Sequence, residues 1–147
     1  MSPYVPYPIV AGPTASGKTA LAIALAKHIG GEVVSADSMQ IYDTVAVGTA
    51  RPDEEEMSGV VHHLMGFLPP HVSYSVAKYA EQAHRVIADV YSRGKLPVLC
   101  GGTGLYIQAV AENLREKQRN FFRITRKMKF HLRFFPKGGS MFLEHFA

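Results

Sequence analysis

The chain has 147 residues, 47% of them hydrophobic, a single cysteine and a net charge of +4. That length suits one domain with a sizeable core and argues against wholesale disorder. No apolar run is long enough to span a membrane, no basic-then-apolar leader opens the chain and one thiol builds no disulfide framework, so the expectation is a soluble, cytoplasmic, monomeric protein with no membrane contact.

In chain order, Pro8 to Ala11 is a short apolar run before glycine and predicts a buried strand. Next comes GPTASGKT, residues 12–19, which is the full G-x-x-x-x-G-K-[ST] pattern between a strand and a helix. Lys18 to Ile29 has helical composition, and Gly30-Gly31 ends it. Glu32 to Ala36 (EVVSA) predicts a second strand, followed by a short helical turn over Ser38 to Tyr42. Thr49 to Met57 is polar, with a helix start expected near Pro52, and Val60 to Phe67 is ambiguous. Ser75 to Arg93 is the clearest helix, because Val76, Tyr79, Ala80, Ala83, Val86, Ile87 and Val90 recur at helical spacing and Gly94 follows. Leu96 to Cys100 predicts a third strand, and Thr103 to Asn113 a third main helix. Strands alternating with helices argue an α/β fold built on a parallel sheet with helical crossovers.

The composition breaks near residue 114. Residues 1–114 hold seven Lys/Arg against ten Asp/Glu, whereas residues 115–147 hold nine basic residues, two acidic ones and seven of the eight phenylalanines. The expected division is therefore a core over residues 1–113 and a basic, Phe-rich, disordered tail over residues 114–147.

Three loops follow strands and should share one crevice, since ligands bind an open parallel sheet at the carboxyl ends of its strands. In the first, whose phosphate set is Gly12, Pro13, Thr14, Ala15, Ser16, Gly17, Lys18 and Thr19, Gly12 and Gly17 let the backbone turn so that its N–H groups converge on phosphate oxygens. Lys18 can reach the terminal phosphate, and the Thr19 hydroxyl is placed to bind Mg²⁺ directly or through water. In the second, SADSMQIY, Asp37 can bind Mg²⁺ through water, act as a general base, or only cap the turn behind it. Gln40 is either a partner for a base edge or a surface residue. The third, CGGTGLY over Cys100 to Tyr106, allows close backbone approach and points a helix start at the crevice, yet such turns are also commonly structural. Cys100 reads as a buried strand thiol. His62 and His63, adjacent in an extended segment, point to opposite faces and suit a structural polar role better than a metal site.

Taken together, GPTASGKT, SADSMQIY, GTARPDEEE, HHL, YSVAKYAEQAH and RGKLPVLCGGTGLYI resemble the tRNA dimethylallyltransferases in order and spacing, over about Ile9 to Ala111. The resemblance implies a P-loop NTPase-like sheet with flanking helices, incomplete on its C-terminal side. It implies that the loop of Gly12 to Thr19 holds dimethylallyl diphosphate with Mg²⁺, and that the prenyl group passes to N6 of an adenine beside the anticodon of a tRNA. Asp37 matches the family's proposed general base, Lys18 the phosphate lysine, and Thr103 a threonine that contacts tRNA near the reacting adenine. Ser38, Met39 and Gln40 complete the segment that touches the target nucleotide. Val61 departs from the proline the family usually has before the two histidines, and after Asn113 no family motif is found. Members of the family are about twice this length, so the expectation is an N-terminal fragment with little transfer activity. The alternatives are a small-molecule kinase or an AMP prenyltransferase with the same loop, and an inactive remnant or RNA-binding fragment led by the basic tail.

Overall fold

The computed structural model describes residues 7–13, 16–43, 51–118, 130–134 and 141–145. Four parallel strands form the central sheet: β1 (Ile9–Ala11), β2 (Glu32–Ser35), β3 (His62–His63) and β4 (Pro97–Gly101), in the order β1-β4-β2-β3. The pairing sets Ile9 against Leu99, Val33 against Val98 and Val33 against His62. The expected α/β fold with a parallel sheet is thus observed.

The strands alternate sides, as the two-residue period of extended chain requires. Val10, Val33, Val98 and Cys100 face helix α1 (Lys18–Ile29), where Ala22 and Ala26 pack against them. Val34, Ala36 and Leu99 face the other way, toward α3 (Val76–Ser92) and α4 (Gly104–Gln118), and meet Tyr79, Ala83, Ile87, Tyr106 and Val110. Every residue of β2 and β4 is buried, which explains the unbroken apolar sequence of β4 and the paired valines of β2, set between a buried Glu32 and a buried Ser35.

Helix α1 ends at Gly30 in the left-handed conformation (φ 66°), with Lys27 and His28 in its last turn. Ser75 caps α3 by accepting from the Lys78 amide. The Tyr79 hydroxyl donates to the Ser35 carbonyl at 2.8 Å, and its ring stacks on Tyr106 with centroids 4.0 Å apart, so α3, α4 and the end of β2 are tied at one point. Burial pushes the Tyr79 phenol up, keeping it a donor at all ordinary pH.

At the opposite end of β2, Glu32 is buried and receives two bonds from Arg93, at 2.5 and 2.7 Å, with His63 at 2.6 Å and Lys95 at 3.2 Å. The Arg93 guanidinium, against the cost of burial and helped by His63 and Lys95, holds the Glu32 carboxyl well below the usual carboxylate range. This cluster fastens the end of α3 and strand β3 to the sheet, far from the carboxyl ends of the strands.

Several details differ from the sequence expectations. The ambiguous Val60–Phe67 segment contains the two-residue strand β3. The helix start expected near Pro52 is observed: helix α2 (Glu54–Met57) is capped by Asp53, whose carboxylate accepts from the Glu56 amide while the Glu56 carboxylate accepts from the Asp53 amide. Ser38–Ile41 form turns rather than helix. Helix α4 runs past Asn113 to Gln118, and within residues 114–147 the strands β5 (Phe130–Phe134) and β6 (Met141–His145) pair antiparallel.

Candidate active site

The three loops do meet at the carboxyl edge of the sheet. Gly12 N–H donates to the Gly101 carbonyl at 3.4 Å, Ala36 N–H to Cys100 O at 2.8 Å, and Thr103 N–H to Ala36 O at 3.1 Å. Gly102 lies at their centre. A Cβ built there would stand 3.1 Å from Gly12 O, 3.7 Å from Lys18 Nζ and 3.8 Å from Asp37 Oδ2. The ammonium and the carboxylate therefore flank one small space whose floor is a bare glycine backbone.

In the first loop, Gly17 sits in the left-handed region (φ 81°) and starts α1 with no side-chain cap, leaving the amides of the first turn directed at the crevice. Lys18 is largely buried, and its Nζ donates to the Pro13 carbonyl at 3.0 Å across the loop. Ser16 Oγ is buried with no hydrogen-bond partner among the described residues. A buried hydroxyl left over in the same loop as a buried ammonium is a group that a phosphate oxygen would satisfy. Thr14 and Ala15, both expected in the phosphate set, lie outside the described residues. Thr19 lines a cleft beneath the loop with Ser35, Gln40, His62 and Cys100.

In the second loop, Asp37 divides its two oxygens. Oδ1 accepts from the Met39 amide at 2.9 Å, closing the turn, while Oδ2 faces the space over Gly102. Capping and an open carboxylate oxygen are thus combined in one residue. Gln40 is 7% exposed, which corrects the expectation of a surface residue: Ser35 Oγ donates to its Oε1 at 3.2 Å, and its carbonyl accepts from Gly66 N–H. Met39, by contrast, is 54% exposed at the rim.

In the third loop, the Thr103 hydroxyl accepts from the Ser38 amide at 2.8 Å and donates to Ser38 Oγ at 3.1 Å. Nothing in the sequence signals this tie, because the two hydroxyl residues are 65 positions apart. Cys100 is 7% exposed and its thiol is pushed up to about 11 by burial, which suits a core residue rather than a nucleophile. His63 belongs to the Glu32 cluster and His62 Nδ1 bonds Val60 O, as a structural pair should. Among the described residues, no group of three or more His, Cys, Asp or Glu side chains is gathered to hold a metal. No described helix is long and apolar enough to cross a membrane.

A parallel sheet with flanking helices, whose carboxyl edge carries a glycine loop, a buried lysine and a helix start, defines an α/β protein. The family model described as IPP transferase matches residues 40–133, more than half of the chain, and the chain belongs to that family. The match begins after the glycine loop and continues past Asn113, where the recognisable motifs stop. A tRNA dimethylallyltransferase of Acetivibrio thermocellus is 52% identical over 106 residues, 72% of this chain and 34% of that protein. The chain thus spans about a third of the length of the curated relatives it matches. Among solved structures, the full-length tRNA isopentenylpyrophosphate transferase of Bacillus halodurans aligns with TM-score 0.70 at 39% identity, over 84% of this chain and 43% of that one. A eukaryotic dimethylallyltransferase acting on tRNA aligns with TM-score 0.68 at 34% identity, over 70% of this chain and 26% of that one.

Proposed function

We propose that this chain carries the donor-binding and base-bearing part of a tRNA dimethylallyltransferase, which moves a dimethylallyl group from dimethylallyl diphosphate to N6 of an adenine next to the anticodon. The observation that carries the reading is the placement of Lys18 Nζ and Asp37 Oδ2 on either side of the space over Gly102. The transfer needs positive charge at the leaving diphosphate and a proton acceptor at the incoming amine, and those are the two groups present.

In the proposed reaction the N6 lone pair attacks C1 of the prenyl chain. The C1–O bond breaks, and its electron pair leaves on the diphosphate. The loop amides from Ser16 onward, the Ser16 hydroxyl and Lys18 stabilise that growing charge, with Lys18 exchanging its Pro13 contact for a phosphate oxygen. Asp37 Oδ2 takes the proton that N6 sheds, while Oδ1 stays bonded to the Met39 amide and keeps the carboxylate aimed. The adenine must leave its stack to enter so narrow a space, at a cost of a few kcal/mol.

The donor set suits Mg²⁺ only in part-protein coordination. Thr19 offers one hard oxygen and Asp37 a second through water, and the remaining positions fall to phosphate oxygens and water, which is how Mg²⁺ is usually held. When bound there, the ion neutralises charge on the diphosphate.

Calorimetry on the chain with dimethylallyl thiodiphosphate and Mg²⁺ tests the donor assignment. Binding of this probe in preference to ATP supports it, and binding of ATP alone would instead indicate a kinase. Lys18→Ala should weaken the diphosphate by about 10- to 100-fold, the loss expected for one charge-assisted contact.

A further inference from the structure

We infer that Thr103 is a positioning residue for Asp37, clamping the carboxylate from both sides of its backbone rather than serving only as a tRNA contact. The Thr103 amide donates to Ala36 O at 3.1 Å, and the Thr103 hydroxyl accepts from Ser38 N–H at 2.8 Å. Ala36 and Ser38 are the two chain neighbours of Asp37, so one residue of the third loop holds the peptide groups before and after the base. The hydroxyl also donates to Ser38 Oγ at 3.1 Å. Its single proton is then committed, and the Ser38 proton is left to donate elsewhere.

The clamp accounts for the split use of Asp37. A carboxylate on a two-residue turn closes on its own Met39 amide in many backbone orientations. Only a fixed peptide plane on either side aims the second oxygen at the space over Gly102, beside Lys18. The third loop is rigid enough to supply that fixity: Thr103 is followed directly by α4, whose Tyr106 and Ile107 amides bond the Thr103 carbonyl at 3.0 and 3.2 Å.

This inference rests on reading Asp37 as the base, but its test does not depend on diphosphate binding. Amide hydrogen exchange on the whole chain reads the two bonds separately, since Ser38 N–H reports the clamp and Met39 N–H reports the Asp37 carboxylate. Thr103→Val, which keeps the shape and removes the hydroxyl, should lower protection at both amides by about tenfold, the scale of one lost hydrogen bond. Thr103→Ser should restore both. Asp37→Ala should release Met39 and leave Ser38 protected. Loss at Ser38 alone in Thr103→Val, with Met39 unchanged, would overturn the positioning role, and so would failure of Thr103→Ser to restore Met39. A chain that shows the expected exchange pattern but binds no diphosphate would keep the clamp and refute the donor assignment.

Discussion

Two adjacent glycines at the crevice should fail in opposite ways when each gains a methyl group. Neither has a positive φ, so space alone decides the outcome. A Cβ on Gly101 would lie 2.2 Å from Ala36 O and 2.3 Å from Ala36 C. Ordinary carbon–oxygen contact is about 3.3–3.6 Å, so the two backbones must part by about 1 Å. That separation breaks the Ala36 N–H bond to Cys100 O and the Thr103 N–H bond to Ala36 O. Two bonds at about 1 kcal/mol each, plus overpacking of about 1–3 kcal/mol, give a loss of about 3–5 kcal/mol for Gly101→Ala. Urea unfolding followed by circular dichroism should show the midpoint falling by about 2 M at a typical slope for a small protein. Gly102 is exposed, and its Cβ would meet only Gly12 O closely, at 3.1 Å, which the loop relieves by moving a few tenths of an ångström. Gly102→Ala should therefore cost under about 1 kcal/mol. Its methyl would nonetheless stand between Lys18 and Asp37 and should lower diphosphate affinity by about tenfold or more, equivalent to one lost contact. A wild-type midpoint for Gly101→Ala, or a Gly102→Ala variant that is unstable yet binds normally, would refute this account of the three-loop junction.

In a full-length version of the enzyme, Asp37→Asn should leave tRNA binding nearly unchanged while slowing prenyl transfer about 10²-fold, the usual scale for losing a general base, as single-turnover kinetics with radiolabelled donor would read. Glu32→Gln should destabilise the fold by about 1–3 kcal/mol, because Arg93, Lys95 and His63 lose a charged acceptor while retaining access to water. The pH dependence has a definite sign. Arg93 lowers the Glu32 carboxyl in the folded state, so its contribution is complete above the unfolded value near 4.5 and is lost as pH falls below it toward the folded value. Urea midpoints between pH 6 and pH 3 should accordingly fall more steeply for the wild type than for Glu32→Gln. Cys100, with its thiol raised to about 11, should react with a disulfide reagent at pH 8 at least about 100-fold more slowly in the folded chain than in urea, and equal rates would contradict its burial.

Much of the fold was legible because local signals and tertiary placement agree. The segments before Asp37 and Gly101 are strands buried on both faces, the one before Gly12 is a strand buried at Val10, and Gly30 stops α1 by the left-handed turn that glycine favours. The periodicity of residues 75–93 survives as α3 because its stripe meets the sheet directly. What stayed hidden depends on distant partners. His62-His63 becomes a strand through pairing with Val33 and Val34, although two residues carry no period of their own. Gln40 looks like a surface amide until Ser35 and the backbone of Gly66 bury it. The crevice itself was readable as three loops after three strands, but not the division of labour between the Asp37 oxygens, which arises from contacts across 65 residues of chain.

The strand order carries a consequence for how the chain reaches its native state. Strand β4 sits between β1 and β2, so Ile9 finds its partner in Leu99 and Glu32 in Pro97, and β1 never touches β2 in the sheet. On a ribosome that adds about 5–20 residues per second, the strand that launches the glycine loop waits several seconds for a hydrogen-bonding neighbour. Until residue 101 emerges, the nascent segment can form helices and the β2–β3 pair, but the edges of β1 and β2 that β4 fills remain unpaired. Parallel pairing at such separations is also slow in itself, since the loop must close before any contact rewards it. The late arrival of one strand thus governs both the completion of the sheet and the moment at which the three loops first meet, and the interval before it is when a holding chaperone would matter most.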